Sequence, residues 1–334
     1  MTGSRNFLDI LFFNNVSVSA RSATTLITRK LKEFPNPLHY SSSSSSSSPN
    51  RSLPAAAHHA KAIKDGSLTR SLHLRNCLLT RYAKSSRLDS ARKLFDEFPH
   101  RDVRSWTIIL SGLARSGSCQ EALGIFSRML EEGVVVPNKF TLFGVLKCCG
   151  SGVGDGLRKG KALHCWMVIR GVEADTALDN AILDFYVKHD EFGWAEKFFR
   201  TMDSKNASSW NIMLAGRVRM GDMERCVEFF RTMEVKATSS WNIIMSGLLV
   251  HGFAGRALEM MHELSRHGRP AFNRLTYSIS LKLASCLVSF EVGRQIHGKV
   301  IRDGRFRDDS LRTSLIDMYW KCGRLEKVSA FFKI

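Results

Sequence analysis

What most constrains this chain is a stretch that it writes several times. The segment Asn76–Val103, NCLLTRYAKSSRLDSARKLFDEFPHRDV, returns in diverged copies down to the C-terminus. Leu88, Ala91 and Phe95 stand at i, i+3 and i+7, and the same offsets recur as Phe192, Ala195, Phe199, as Met223, Cys226, Phe230, and as Leu325, Val328, Phe332. One helical stripe is therefore written four times. The upstream half repeats too, with Leu78, Leu79, Tyr82 and Ala83 in one copy and Leu315, Ile316 and Tyr319 in another. Each unit reads as helix A, a short turn such as Lys321–Gly323, and helix B. Helix pairs repeated at 31 to 37 residues predict an all-α chain, an α-solenoid superhelix of helix-turn-helix pairs, each burying its apolar face against its neighbours.

Three unit types alternate. One is marked by Trp106, Trp210 or Trp241 in a Ser-Trp-polar-Ile context, and another by a histidine followed seven residues later by glycine: His59 and Gly66, His164 and Gly171, His297 and Gly304. The third is the short unit described above. Pro99, Pro137 and Pro270 fall near unit ends, where a missing N–H and a fixed φ stop a helix. The expected array occupies 53–334, with a partial unit at 54–71, then 72–102, 103–138, 139–175, 176–206, 207–237, 238–273 and 274–308, and a partial unit at 309–334. That is about eight to nine repeats, the terminal ones partial. The last unit stops at Ile334 inside its second helix without a polar capping helix, so the chain reads as truncated.

Residues 1–52 differ from the rest. They hold Arg5, Arg21, Arg29, Lys30, Lys32 and Arg51 but only Asp9 and Glu33 as acids, and they include the serine tract Ser41–Ser48. An arginine- and serine-rich, acid-poor N-terminus reads as an organellar transit peptide followed by a disordered linker, mitochondrial first and chloroplast as the alternative. This leader accounts for four of the eighteen net positive charges, leaving fourteen on the repeats. A basic repeat array favours a polyanionic partner.

The eight cysteines sit scattered at helical positions, and no CxxC occurs. That pattern predicts buried apolar cysteine in a reducing compartment, not a disulfide framework or a zinc site. No apolar run approaches the ~20 residues that a membrane span needs.

These residues resemble the pentatricopeptide repeat family, in its plant subclass that alternates long, short and standard repeats. SLIDMYWKCGRLEKVSAFF at 314–332 and NCLLTRYAKSSRLDSARKLFDEF at 76–98 are similar to short repeats. GVVVPNKFTLFGVLKCCG at 133–150 is similar to a standard-to-long junction, and EVGRQIHGKVIRDG at 291–304 to a long repeat. The resemblance spans about residues 54–334. The tetratricopeptide repeat, the main look-alike, has a fixed 34-residue period and a different signature, and the chain shows neither.

The resemblance implies binding of single-stranded organellar RNA at about one base per repeat, read by the fifth and last residues of each repeat. Short polar side chains there can donate to and accept from the Watson–Crick edge of an unstacked base. The implied pairs are Asn76 with Asp102, Thr107 with Asn138, Asn180 with Asn206, Asn211 with Ala237, and Asn242 with Asn273. The long repeats offer Phe143 with Asp175 and Ser278 with Asp308 as weaker readers, and Thr313 has no partner in the sequence. By the family's pairing rules the target runs U, A, any base, a pyrimidine, an unassigned base, a pyrimidine, then G. The family sandwiches the base with an aliphatic second residue. Here His73, Arg104, Ala177, Ser208 and Ser239 take that place instead.

The implied task is site recognition for cytidine-to-uridine RNA editing. A separate deaminase-domain protein or editing accessory factors would be the partners. RNA processing, splicing or stabilisation, and a protein-binding scaffold, are the alternatives. The deaminase-like domain that often follows such arrays needs H-x-E plus P-C-x-x-C. His189-Asp190-Glu191 fits the first element, but it falls in a turn and no C-x-x-C follows it. No Walker loop, HExxH or nucleophile elbow is present. The expectation is a binding protein with no catalytic site, no cofactor and no metal. The histidines at 59, 164 and 297 are expected to pack within the long repeats, and the three tryptophans to lie in the core.

Overall fold

The computed structural model describes residues 71–151, 155–267, 272–305 and 308–324, together with 59, 60, 64 and 326. The leader, most of 54–71, Pro270 and the stripe Leu325, Val328, Phe332 lie outside the described residues. All regular structure among the described residues is helical, and the chain is an all-α helical-repeat solenoid. It divides into two compact units, one ending at Glu191 and the other beginning at Phe192.

The first unit contains α1 (Leu72–Lys84), α2 (Leu88–Asp96), α3 (Val103–Ser116), α4 (Cys119–Glu132), α5 (Lys139–Cys149), α6 (Gly156–Ile169) and α7 (Thr176–Lys188). Within it α1, α3, α5 and α7 pack side by side in a layer, and α2, α4 and α6 back onto them. The second unit contains α8 (Phe192–Thr201), α9 (Ala207–Met220), α10 (Met223–Thr232), α11 (Thr238–Val250), α12 (Ala254–His267), α13 (Arg274–Cys286), α14 (Phe290–Arg302) and α15 (Asp309–Lys321). Here α9, α11, α13 and α15 form the layer and the even-numbered helices back it.

Local chemistry sets where these helices start and stop. Ser71, Asp102, Asn138, Asp175, Asn206, Asn273 and Asp308 each accept a hydrogen bond from a first-turn N–H of the helix that follows. An acceptor at this place satisfies a donor that the helix cannot satisfy itself. Two of the A helices end directly in a residue of left-handed backbone, Gly117 (φ 82°) after α3 and Gly221 (φ 85°) after α9, which glycine adopts without steric penalty.

The core explains the repeated stripe. Phe95, Phe199 and Phe230, one from each described copy, meet Trp106, Trp210 and Trp241 edge-on at centroid distances of 4.8, 5.0 and 4.7 Å. The tryptophans are buried, as expected of core residues. A cation then closes each phenylalanine from outside: Arg101 lies over Phe95, Lys205 over Phe199 and Lys236 over Phe230. The same three cations donate to carbonyls at the end of helix B, those of Phe95, Met202 and Met233. One residue near the end of each of these three units thus covers the aromatic core and terminates the helix.

Two expectations need correction. His59, His164 and His297 are structural, as expected, but their contacts are not confined to the long repeats. Each reaches the tyrosine of the following short repeat, with Nδ1 3.1, 2.8 and 2.7 Å from the hydroxyls of Tyr82, Tyr186 and Tyr319. All three ring pairs are edge-on at 5.6 to 5.7 Å. The histidine therefore fastens one repeat to the next. The cysteines also divide. Cys119, Cys148, Cys149, Cys165 and Cys226 are buried, whereas Cys77 and Cys286 are exposed and Cys322 is half-buried. Burial raises the thiol pKa of Cys149 to about 12 and of Cys226 to about 11, which keeps these sulfurs protonated and inert.

Candidate nucleic-acid interface

The last residue of each repeat is also the N-cap of the next helix A, so its side chain is fixed by the helix before it meets any ligand. Asp102 accepts from the Ser105 N–H through Oδ1 at 2.8 Å. The side-chain amide of Asn76 then donates to both carboxylate oxygens, at 3.2 and 3.3 Å. Ser105, fully buried, donates its hydroxyl to Asn76 Oδ1 and to Asp102 Oδ1, each at 2.7 Å. Burial pushes the Asp102 carboxyl up, but the bonds from the Ser105 hydroxyl and N–H and from Asn76 outweigh it and hold the group below the usual carboxylate range.

The arrangement repeats. Thr107 lies 3.4 Å from Asn138 Oδ1 and 2.9 Å from the Thr141 hydroxyl, and Thr141 contacts the same Asn138 oxygen through N–H and hydroxyl. In the second unit Asn242 donates to Asn273 Oδ1 at 3.3 Å, while the buried Thr276 hydroxyl lies 2.9 Å from both Asn242 Oδ1 and Asn273 Oδ1. Three expected pairs are thus brought together, each through a buried hydroxyl three residues into the next helix.

Asn211 is the incomplete case. Ala237 gives α11 no side-chain cap. Asn211 instead donates to Ser239 Oγ at 2.8 Å, and its own Oδ1 is buried without a hydrogen-bond partner. Asn206 caps α9 and shares a capping box with Ser209; Asn180 sits half-buried on α7. Ser278 is half-buried, and Asp308 caps α15 and lies 3.6 Å from Arg274. Thr313 donates to the Asp309 carbonyl of its own helix. In repeat 139–175 the fifth residue is Phe143, with 43% of its surface exposed, and Asp175 is engaged by Lys139 Nζ at 2.6 Å.

Sequence reasoning missed the linking hydroxyls. Their signal was an N-cap residue followed three positions later by Ser or Thr: Asp102 and Ser105, Asn138 and Thr141, Asn206 and Ser209, Asn273 and Thr276. It also missed a cation that recurs at one position of helix A in both units. Lys84, Arg115, Lys188, Arg219 and Lys321 each stand twelve residues after the first residue of their helix A, and all five are exposed. Polar donor–acceptor pairs at one end of helix A and cations at the other can read base edges and hold a phosphate backbone, respectively. The His189–Glu191 motif lies at the end of α7, where His189 Nδ1 bonds the Phe185 carbonyl at 2.9 Å. No group of three or more His, Cys, Asp or Glu among the described residues could hold a metal ion, and no described helix is long and apolar enough to cross a membrane.

Comparison with known proteins adds the family context. A family model described as the PPR repeat matches residues 75–103, 104–134, 208–236, 239–269 and 312–334. A mitochondrial pentatricopeptide repeat-containing protein of Arabidopsis thaliana is 38% identical over 278 residues, covering 82% of this chain and 42% of the relative. A second Arabidopsis thaliana protein, a putative pentatricopeptide repeat-containing protein, is 32% identical over 270 residues, covering 80% of this chain and 34% of the relative. The chain thus spans well under half the length of these curated relatives. A solved pentatricopeptide repeat protein from maize superposes with a TM-score of 0.53 at 21% identity, over 97% of this chain and 45% of that one.

Proposed function

The chain belongs to the pentatricopeptide repeat family, and from that premise we propose that it binds single-stranded organellar RNA in a sequence-specific way. The observation that carries this is the recurring triad of fifth residue, last residue and buried hydroxyl. A capping residue held by its helix and by its neighbour presents fixed donors and acceptors, so base discrimination does not first require ordering two loose side chains. The exposed cations twelve residues on would contact phosphates and make binding fall with salt.

The pairs assign U to Asn76 with Asp102, A to Thr107 with Asn138, and a pyrimidine to Asn180 with Asn206 and to Asn242 with Asn273. The finer role is site recognition for cytidine-to-uridine editing by a member of the subclass with alternating repeat lengths. The chemistry would be supplied by a separate deaminase-domain protein. The compartment we favour is the mitochondrion, on the printed name of the Arabidopsis relative.

The test is selection from a randomised single-stranded RNA pool at two salt concentrations. Bound RNA should be enriched in U-A on the 5′ side and pyrimidines further on. The log–log salt slope should be about −0.7 per phosphate neutralised. Thr107→Asn should weaken the demand for A at the second nucleotide. Binding without sequence preference would sink the readout and favour a scaffold role.

A further inference from the structure

Repeat 139–175 lacks a hydrogen-bonding fifth residue, yet it is not blank at that register. Helix α5 reads KFTLFGVLKCC, and its buried positions are Thr141, Leu142, Gly144, Val145, Leu146, Cys148 and Cys149. Phe140 and Phe143 are left outside this core, 63% and 43% exposed. The phenylalanines of the core stripe, such as Phe95 and Phe230, are buried by contrast. One turn separates Phe140 from Phe143, so the two rings share a helix face. Phe143 is the fifth residue of its helix, as Asn76 is in α1 and Thr107 in α3, and these three helices lie in one layer.

The polar half of the pair is also altered. Asp175 accepts from Lys139 Nζ at 2.6 Å and from the Leu178 N–H at 3.0 Å, and the hydrogen bond from Lys139 leads the causes that hold its carboxyl below the usual range. This carboxylate already has a cation and a backbone donor, so a base gains little by offering it an N–H. The same Lys139 Nζ stands 5.6 Å from the centre of the Phe140 ring. An exposed aromatic pair at a readout position, beside a carboxylate that its own lysine already engages, has the chemistry of a stacking platform: every base has a π-face.

We infer that repeat 139–175 engages its nucleotide by stacking the base on Phe143 and Phe140, and not by hydrogen-bond readout, so that the third target position is filled but not specified. This rests on the RNA-binding reading above and deepens it. Stacking tolerates all four bases and favours the larger purine faces. The platform would therefore add affinity while leaving sequence choice to the flanking pairs.

The test uses the full chain and RNA containing 5′-UAXCUCG-3′ with short uridine flanks, where X is A, C, G, U or an abasic ribose. Wild type should bind all four bases, purines somewhat ahead, and lose roughly 5- to 100-fold with the abasic ribose. Phe143→Ala should bind every X, the abasic ribose included, at that weaker level. Phe143→Trp should restore the dependence on a base at X. Exposure of both rings predicts that these variants melt as wild type does, which circular dichroism checks. The inference is overturned if the abasic ribose binds wild type as well as a base does, or if Phe143→Ala still binds a base at X better than the abasic ribose by the wild-type factor. Replacing the leading UA with GC separates the two readings. If that weakens binding while X is indifferent, readout stands and stacking falls. If neither change matters, specific RNA recognition itself falls and takes the platform with it.

Discussion

The side-chain amide of Asn76 donates to both carboxylate oxygens of Asp102, although 26 residues separate them in sequence. Asp102 therefore holds two jobs: it caps α3 and it orients the polar residue of the preceding repeat. The jobs can be separated. Asp102→Ala removes both, and loss of a cap alone costs roughly 1 kcal/mol, with a range of about 0.5–2. Asp102→Asn keeps an acceptor for the Ser105 N–H and should cost little at neutral pH. The carboxyl is held below its ordinary value of 3.8 in the fold, so its contribution is present above the unfolded pKa and is lost as pH falls through the folded one. Urea unfolding should show Asp102→Asn less acid-sensitive than wild type below about pH 4. Equal acid sensitivity would mean that the carboxylate contributes nothing beyond its cap.

His164 makes the opposite test, of a group held neutral. It is buried against Tyr186, and burial pushes its imidazole pKa down to about 4. A group whose folded pKa is depressed gives stability that is present above the unfolded value near 6.5 and is lost as pH falls toward 4. The interval corresponds to roughly 3 kcal/mol at most. Wild type should therefore lose stability steeply between pH 7 and pH 4.5, and His164→Gln should flatten that slope even if it is weaker at pH 7. A parallel pair of curves would place the acid sensitivity elsewhere.

Much of this was legible in the sequence because the repeats carry one apolar stripe and one polar register. Offsets such as Leu88, Ala91, Phe95 identify helix B, and the Asp102 and Asn138 positions follow from counting within a repeat. What was hidden lay between repeats. Nothing in the spacing of His164 says that its partner is Tyr186, because a 22-residue separation crosses a turn and changes helix. Periodicity also could not say which side of α5 faces solvent: its sequence is apolar nearly all round, so Phe143 looks no more exposed than Leu142 until the neighbours are in place. Exposed Cys77 and Cys286 were misread for the same reason.

Close approach between helices makes one glycine intolerant and leaves another free. A Cβ on Gly160 of α6 would collide with the Phe185 ring of α7, whereas one on Gly124 of α4 meets nothing within 4 Å. Gly160→Ala should destabilise by about 1–3 kcal/mol as an overpacked core does. Gly124→Ala should stabilise by up to ~1 kcal/mol, since alanine is the better helix former. Thermal melting of the two variants should shift in opposite directions. A stabilising Gly160→Ala would show that α6 and α7 pack less tightly than described.

Ala237 offers a gain of function. Its place is that of Asp102, Asn138 and Asn273, yet it leaves α11 without a side-chain cap and leaves Asn211 Oδ1 buried without a partner. The linking hydroxyl is already present, since Ser240 is fully buried and accepts from the Ala237 N–H at 3.2 Å. Ala237→Asn supplies the missing carboxamide. Its oxygen can cap the helix and its NH2 group can donate to Asn211 Oδ1, which removes an orphaned acceptor as well as an uncapped end. Stability should rise by about 1 kcal/mol from the cap, and the unassigned fifth nucleotide should acquire a pyrimidine preference like that proposed for Asn242 with Asn273. The two readouts answer different questions. Stabilisation without a new preference would confine the triad to holding repeats together, and a preference without stabilisation would mean that the added carboxamide meets the base but leaves the first-turn N–H groups of α11 uncapped.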